Sequence, residues 1–111
     1  MNKVENLPPI WVGKDFEQAA KKRAASLGGL RLTEYIRHLA INDIQNPQAL
    51  KTYDCGAGSK YTPPMRTTPE LKSACDARAK KLFGSNLTEY LRQLMANDLV
   101  KSGSAKFKEI K

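Results

Sequence analysis

A thirteen-residue stretch of this chain occurs twice, and the duplication limits the possible folds more than any other feature. The sequence LTEYIRHLAINDI at residues 32–44 returns 55 residues later as LTEYLRQLMANDL at residues 87–99. Aligned without a gap at that offset, residues 8–44 and 63–99 share 15 identities in 37 pairs, and most other apolar positions exchange conservatively. Because chance would not preserve both the register and the apolar pattern, the chain is a tandem repeat of one small unit.

Each unit is too short to fold independently. A unit of about 40 residues is near the limit below which a core cannot offset the chain entropy lost on folding, whereas 111 residues are the usual size of one domain. We therefore expect one domain, with repeat 1 at residues 8–44, a connector at 45–62, repeat 2 at 63–100 and a basic tail at 101–111.

The charge of the chain favours an anionic partner. Nineteen Lys and Arg against eleven Asp and Glu give a formal net charge of +8 and an isoelectric point near 9.7. Such a charge attracts nucleic acid by long-range electrostatics, but a solvated basic surface has the same composition. The composition alone does not decide between a nucleic-acid partner and a solvated basic surface.

Other features exclude several classes of function. No apolar run approaches the ~20 residues that a membrane helix needs, and residues 1–7 lack the apolar core of a secretion signal. Cys55 and Cys75 have neither metal-ligand spacing nor a disulfide framework, and His38 has no second ligand or nucleophile near it. We expect a cytoplasmic protein with no membrane partner, no metal, no cofactor and no catalytic residue, and hence no enzyme.

In each repeat a short extended segment precedes the helical patterns. Residues 10–13 and 65–68 alternate as strands with one buried face, and pairing should begin at Ile10 because the preceding prolines cannot donate to a ladder. Residues 1–7 are predicted to be loose, the connector to be a loop that can carry local turns, and the basic tail to be mobile.

Two helices follow each strand. Apolar residues recur at helical spacing as far as Gly28 in repeat 1 and Gly84 in repeat 2, where glycine permits a left-handed end. Pro69 suits the first helical position, and Asn86 with Glu89 predicts a capping box at the start of the last helix. The second helices should end near residues 45 and 100.

This order of elements resembles the ribbon-helix-helix (MetJ/Arc-type) family of DNA-binding proteins, in particular where the second helix begins Thr-Glu-Tyr-[Ile/Leu]-Arg. In that family two units pair their strands into an antiparallel ribbon, interlock four helices beneath it and lay the ribbon in the major groove. The resemblance covers about 74 of 111 residues, and the tandem arrangement is similar to that of TraY-type accessory proteins of conjugative DNA transfer. It implies a mainly α fold with a short two-stranded antiparallel ribbon, formed by one chain as a monomeric pseudo-dimer.

The resemblance also implies that the outward face of the ribbon contacts bases. If Met65 and Thr67 point into the core, simple alternation turns Arg66 outward, and it also turns Leu7 and Trp11 outward in repeat 1. Arg66 is the strongest candidate, because a guanidinium can bond two acceptors on a guanine edge. Trp11 can pack on a thymine methyl or belong to the core. The candidate base-reading residues are Arg66, Thr68, Thr62 and Trp11.

Family members bind a phosphate at the start of the second helix, where free backbone N–H groups and the helix dipole favour an anion. Helix capping alone also explains an Asn at that position. The candidate phosphate contacts, including two lysines that flank the strands, are Arg31, Thr33, Asn86, Thr88, Lys14 and Lys60. We further expect Arg23 and Arg78 to pair with acids of the opposite repeat. Within one helical turn, Arg37 should pair with Glu34 and Arg92 with Glu89.

The leading hypothesis is a double-stranded DNA-binding protein. Its role would be that of an accessory factor in plasmid or T-DNA transfer, with other proteins of the transfer complex as further partners, or that of a transcriptional repressor. The alternative is a protein–protein adaptor or antitoxin-like module that presents the same basic face to an acidic protein. The two differ in salt dependence, because phosphate contacts weaken steeply with salt and a packed protein interface does not.

Overall fold

Four helices lie beside three short antiparallel strand pairs in the computed structural model, which describes residues 5–110. The helices are α1 (Lys14–Ser26), α2 (Leu32–Gln45), α3 (Pro69–Phe83) and α4 (Leu87–Lys101). The strands are β1 (Glu5–Leu7), β2 (Trp11–Val12), β3 (Tyr53–Asp54), β4 (Lys60–Tyr61), β5 (Met65–Thr67) and β6 (Lys108–Glu109). The expectation of a mainly α chain with short antiparallel strands is therefore confirmed. None of the helices within the described range is long and apolar enough to cross a membrane.

The ends of the first helix of each repeat follow the local signals in the sequence. Pro69 occupies the first turn of α3, and the Thr68 hydroxyl accepts a hydrogen bond from the backbone N–H of Leu71 at 3.2 Å. Gly28 (φ 94°) and Gly84 (φ 59°) adopt the left-handed conformation that ends α1 and α3. These predictions of helix start and stop are confirmed.

Each of the second helices, α2 and α4, forms only one of the two hydrogen bonds of a capping box. At the start of α4, Asn86 Oδ1 accepts from the backbone N–H of Glu89 at 2.9 Å, but the Glu89 carboxylate turns to Arg92 instead of the cap. At the start of α2, Glu34 Oε1 accepts from the backbone N–H of Arg31 at 3.0 Å. The predicted pair of Arg92 with Glu89 is therefore confirmed, whereas the one predicted between Arg37 and Glu34 is wrong, because Glu34 caps the helix. Each helix thus forms one half of the box, and the reciprocal bond predicted for Glu89 is wrong because a guanidinium competes for its carboxylate.

The strands of the two repeats pair with each other on both sides of the prolines. β1 pairs with β5, and β2 pairs with β4, in one continuous antiparallel register. That register places Leu7 opposite Met65 and Trp11 opposite Tyr61, so the midpoint of the ribbon is the paired proline segments 8–9 and 63–64. The predictions that Glu5–Leu7 is loose and that pairing begins at Ile10 are wrong; residues 1–4 lie outside the described range.

Two equivalent ion clusters join the repeats beneath the ribbon. In the Asp43 cluster, Asp43 of repeat 1 accepts hydrogen bonds from Arg78 and Tyr90 of repeat 2; in the Asp98 cluster, Asp98 of repeat 2 accepts from Arg23 and Tyr35 of repeat 1. In both clusters the arginine Nε lies 3.0 Å from a carboxylate oxygen. Burial, together with the hydrogen bond to the carboxylate, raises the pKa of both tyrosines. The expected pairing of each arginine with the opposite repeat is confirmed.

The connector and the tail also adopt defined structure. β3 in the connector pairs with β6 in the tail, and Phe107 stacks on Phe16 of α1 with ring centroids 5.4 Å apart. The loop predicted for the connector contains β3 and β4, and the mobility predicted for the tail is wrong for its described residues. Their aromatic side chains bury against the helices, which outweighs the chain entropy lost on ordering.

Candidate nucleic-acid interface

The alternation of inward and outward side chains shifts by one residue at the middle of the ribbon. We call residues 5–12 strand 1 of the ribbon and residues 60–67 strand 2. Leu7 and Ile10 are both buried in strand 1, as are Thr62 and Met65 at the equivalent positions of strand 2. The prediction that Thr62 and Leu7 face outward is therefore wrong. Consecutive prolines cause the shift, because they cannot donate to the ladder and break the regular pleat.

Thr62 has a structural role at this break. Its hydroxyl accepts a hydrogen bond from the backbone N–H of Ile10 at 2.9 Å, and its own N–H donates to the Ile10 carbonyl at 2.8 Å. With 2% of its surface exposed, Thr62 cannot reach a ligand on the outer face. It satisfies backbone groups that the prolines would otherwise leave unpaired.

Four side chains form the outward face on either side of the prolines. Asn6 lies opposite Arg66 at one end, and Trp11 lies opposite Tyr61 at the other. All four are exposed, Trp11 by 38% and Tyr61 by 62%, and the two rings are 4.7 Å apart at an interplanar angle of 57°. One end of this outer face is polar and the other aromatic.

The structure resolves the two interpretations of Trp11 in favour of the outer face. Its indole lies over the connector at Gly58, where an added Cβ would be only 1.9 Å from Trp11 Cδ1. The close approach requires glycine at that position and fixes the ring beside Tyr61. Asn6 and Tyr61 were missed by the sequence prediction, because they lie just before the bounds expected for the two repeats. They are related by the same offset of 55 residues, which was the signal in the sequence.

The helix starts place some of the predicted phosphate contacts near the ribbon. A cleft of about 220 Å³ lies between strand 2 and the first turn of α2, and it brings Arg66 together with Thr33 and Arg37. Arg31, the residue before α2, is exposed. This end of α2 thus combines the N–H groups of the first turn, a hydroxyl and two arginines beside the polar end of the ribbon, together with the Glu34 carboxylate, which caps the Arg31 N–H.

The remaining candidates have different surroundings. Asn86 is exposed but caps α4, Thr88 is half-buried, and Thr68, exposed at the end of strand 2, caps α3. Lys14 is exposed in the first turn of α1, whereas Lys60 Nζ lies 3.1 Å from Glu17 Oε2 on the helix side of the ribbon. The structure therefore separates Lys60 and Thr62 from the outer face and leaves Arg66 and Trp11 on it.

The titratable groups elsewhere do not form a second site. Burial raises the pKa of the Cys55 and Cys75 thiols to about 11, and Cys75 is a fully buried core residue. Among residues 5–110, no group of three or more His, Cys, Asp and Glu side chains is arranged to hold a metal ion. The outer face of the ribbon and the adjoining helix starts are the candidate site.

Comparison with protein-family models, curated proteins and solved structures finds no match to this chain.

Proposed function

We propose that this chain binds double-stranded DNA as a tandem ribbon-helix-helix pseudo-dimer, with its two-stranded ribbon in the major groove. The observation that carries the proposal is the outer face of the ribbon, where Arg66 and Asn6 lie side by side and exposed on paired strands. A two-stranded ribbon fits the width of the major groove, in which each base pair presents a distinct pattern of donors and acceptors. The net charge of +8 supports the same partner.

The two ends of the ribbon would read DNA differently. Arg66 can bond O6 and N7 of guanine, and Asn6 can bond N6 and N7 of adenine, each in bidentate fashion. Trp11 and Tyr61, at the other end, offer apolar surface for thymine methyl groups and one hydroxyl. Sequence recognition would therefore come mostly from the polar end.

Phosphate contacts would hold the ribbon in place. Arg31 and Thr33 at the start of α2 would bind a phosphate beside Arg66, and Thr88 with the free N–H groups of α4 would bind one at the other end. Lys14 would add a further backbone contact. Such contacts position the protein without distinguishing sequences. They suit an accessory factor in plasmid or T-DNA transfer or a transcriptional repressor.

Two arginine variants test this assignment. A preferred duplex is first selected from a random pool, and the affinities of Arg66→Ala and Arg31→Ala are measured on that duplex and on a scrambled one at several salt concentrations. Arg66→Ala should lose about 1–3 kcal/mol more on the preferred duplex. Arg31→Ala should weaken both duplexes alike and lower the salt slope by about one.

Lys101→Ala is the matched control. It removes one positive charge at the far end of α4, about 20 Å along the helix axis from the start of α4. It should leave both affinities nearly unchanged. Equal losses for the two arginine variants on both duplexes would show that the ribbon does not read bases, and affinity that hardly falls with salt would favour the protein–protein adaptor instead.

A further inference from the structure

The two halves of the molecule contain equivalent grooves, and residues 5–110 cover only one of them. The covered groove, between α4 and α1, lies beneath connector residues 51–55 and tail residues 105–109, which we call the cover. Over the open groove, between α2 and α3, the described part of the chain places no such segment. Ala96 of the covered groove is fully buried, whereas the equivalent Ile41 of the open groove is 38% exposed.

The cover is attached through paired backbone contacts. The Gln93 side-chain amide accepts from the Tyr53 N–H at 2.8 Å and donates to the Tyr53 carbonyl at 2.9 Å. One turn further along α4, the Asn97 amide makes the same pair of bonds with Lys51, at 3.0 and 2.8 Å. Two amides spaced by one helical turn therefore hold every second residue of an extended segment.

The open groove retains part of the corresponding chemistry. It has a volume of about 410 Å³ and is lined largely by the apolar side chains of Ile41, Ile44, Leu71 and Ala74. Asn42, the repeat equivalent of Asn97, is exposed on α2 beside this groove, whereas the equivalent of Gln93 is His38. One of the two amides that hold the cover thus has a counterpart in the other half.

Thr67 provides a second, independent sign of a missing partner. It lines the open groove, only 9% of its surface is exposed, and its hydroxyl has no hydrogen-bond partner among the described residues. The equivalent residue of the covered groove is Val12, which requires no partner. A buried hydroxyl without a partner is costly, and an incoming segment with a polar atom would satisfy it.

The cover indicates what kind of segment fits such a groove. It contributes two aromatic rings: Tyr53 is buried, and Phe107 stacks on Phe16, the repeat equivalent of Leu71. Arg37 and Glu70 both line the open groove, so its charges do not select a basic or an acidic segment.

We propose that the open groove binds an extended segment of a partner protein that carries an aromatic residue. The aromatic ring occupies the space between Ile41 and Leu71, and Asn42 pairs with the backbone two residues before the ring. The Thr67 hydroxyl bonds a polar atom of the segment. The groove lies beside the ribbon and needs no DNA, so this inference does not depend on the proposed function.

A peptide with the sequence of the cover tests the proposal. The probe is a synthetic peptide of residues 49–56, ALKTYDCG, titrated into the full chain and followed by two-dimensional NMR. We expect saturable shifts at Ile41, Asn42 and Leu71. Ile41→Ser should weaken binding by about tenfold or more, and Asn42→Ala by about five- to tenfold.

Controls separate the groove from non-specific binding. A peptide with Ala in place of the tyrosine should not saturate, and Gln18→Ala, an exposed polar change on α1, should bind as the parent does. Because Asn42 is exposed, its replacement does not threaten folding, so the test holds even if Ile41→Ser is unstable. Thr67→Val should retain the fold, because Val12 is the repeat equivalent of Thr67. It should weaken binding of the peptide.

Three outcomes would overturn the proposal. The first is an absence of shifts in the groove at millimolar peptide. The second is the appearance of the same shifts without peptide as the protein concentration rises, which would make a second copy the occupant. The third is peptide binding only after removal of residues 1–4, which would assign the groove to the N-terminal segment of the chain itself.

Discussion

The two ion clusters make a comparison possible within one molecule, because the same three residue types occur in both at different depths. The Asp43 side chain is 5% exposed and that of its partner Arg78 is 14% exposed, whereas the values for Asp98 and Arg23 are 20% and 26%. Asp43→Ala and Asp98→Ala remove equivalent carboxylates. We expect the first to destabilise the fold more than the second.

The magnitude follows from what each substitution leaves behind. Asp43→Ala strips the Tyr90 hydroxyl and the Arg78 guanidinium of their carboxylate in a buried site, which typically costs about 3–5 kcal/mol. Arg78 also donates to the Gln48 carbonyl at 3.2 Å, so it keeps one partner and the lower end of that range applies. At the more exposed Asp98, water replaces part of the lost interaction, and about 1–2 kcal/mol is expected.

Urea unfolding, followed by circular dichroism and by Trp11 fluorescence, measures both losses. With a slope typical of a chain this size, Asp43→Ala should lower the urea midpoint by about 2 M and Asp98→Ala by about 1 M. Asp15→Ala, at an exposed acid of α1, is the control for the change in net charge. The double variant of Asp43 and Arg78 should lose less than the sum of the single variants, because it leaves no unpaired buried charge.

Two results would refute this reasoning. Equal losses for Asp43→Ala and Asp98→Ala would show that depth does not set the strength of the clusters. A loss for Asp43→Ala no greater than that for Asp15→Ala would show that the inter-repeat network does not stabilise the fold.

Three further predictions follow. Because the repeats pair within one chain, light scattering at low micromolar concentration should give the monomer mass of 12.4 kDa, and a stable species of twice that mass would contradict it. Burial raises the pKa of Tyr35 and Tyr90, so their contribution to stability is complete below the ordinary tyrosine pKa near 10 and declines as the pH rises above it. Replacing both with Phe should make the free energy of unfolding fall less steeply with alkaline pH, and an unchanged fall with pH would contradict this. Because only one end of the ribbon is polar, competition with unrelated duplex should give a specificity ratio below ~10⁵, and a higher ratio would mean that the aromatic end also reads sequence.

Local signals in the sequence predicted the helices well. Glycine at a left-handed position and proline at a first helical turn act within a few residues, so Gly84 and Pro69 mark the ends of α3 wherever the helix packs. The duplication predicted more than local structure. Residues kept in both repeats, such as Asp43 and Asp98, bind the opposite repeat, because a pseudo-two-fold arrangement needs the same contact twice.

The candidate site could be predicted only in part. Arg66 was correctly expected on the outer face, and the structure decides the open question of Trp11 in favour of that face. Thr62 was wrongly expected there, because alternation assumes an unbroken pleat. The paired prolines shift the phase by one residue, and only the pairing across the ribbon shows where the pattern resumes. The outward positions of Asn6 and Tyr61 follow from that pairing and not from either strand alone.

The difference between the two grooves was decided entirely by tertiary structure. The repeats are similar enough in sequence to predict equal halves, yet Phe107 of the tail packs on Phe16 of repeat 1, across most of the length of the chain. The polar connector and the basic tail carry no periodic pattern that predicts order. The connector becomes ordered because Gln93 and Asn97 bond its backbone, and the tail because β6 pairs with β3 and Phe107 packs on Phe16. The free energy of such contacts exists only once both halves have folded.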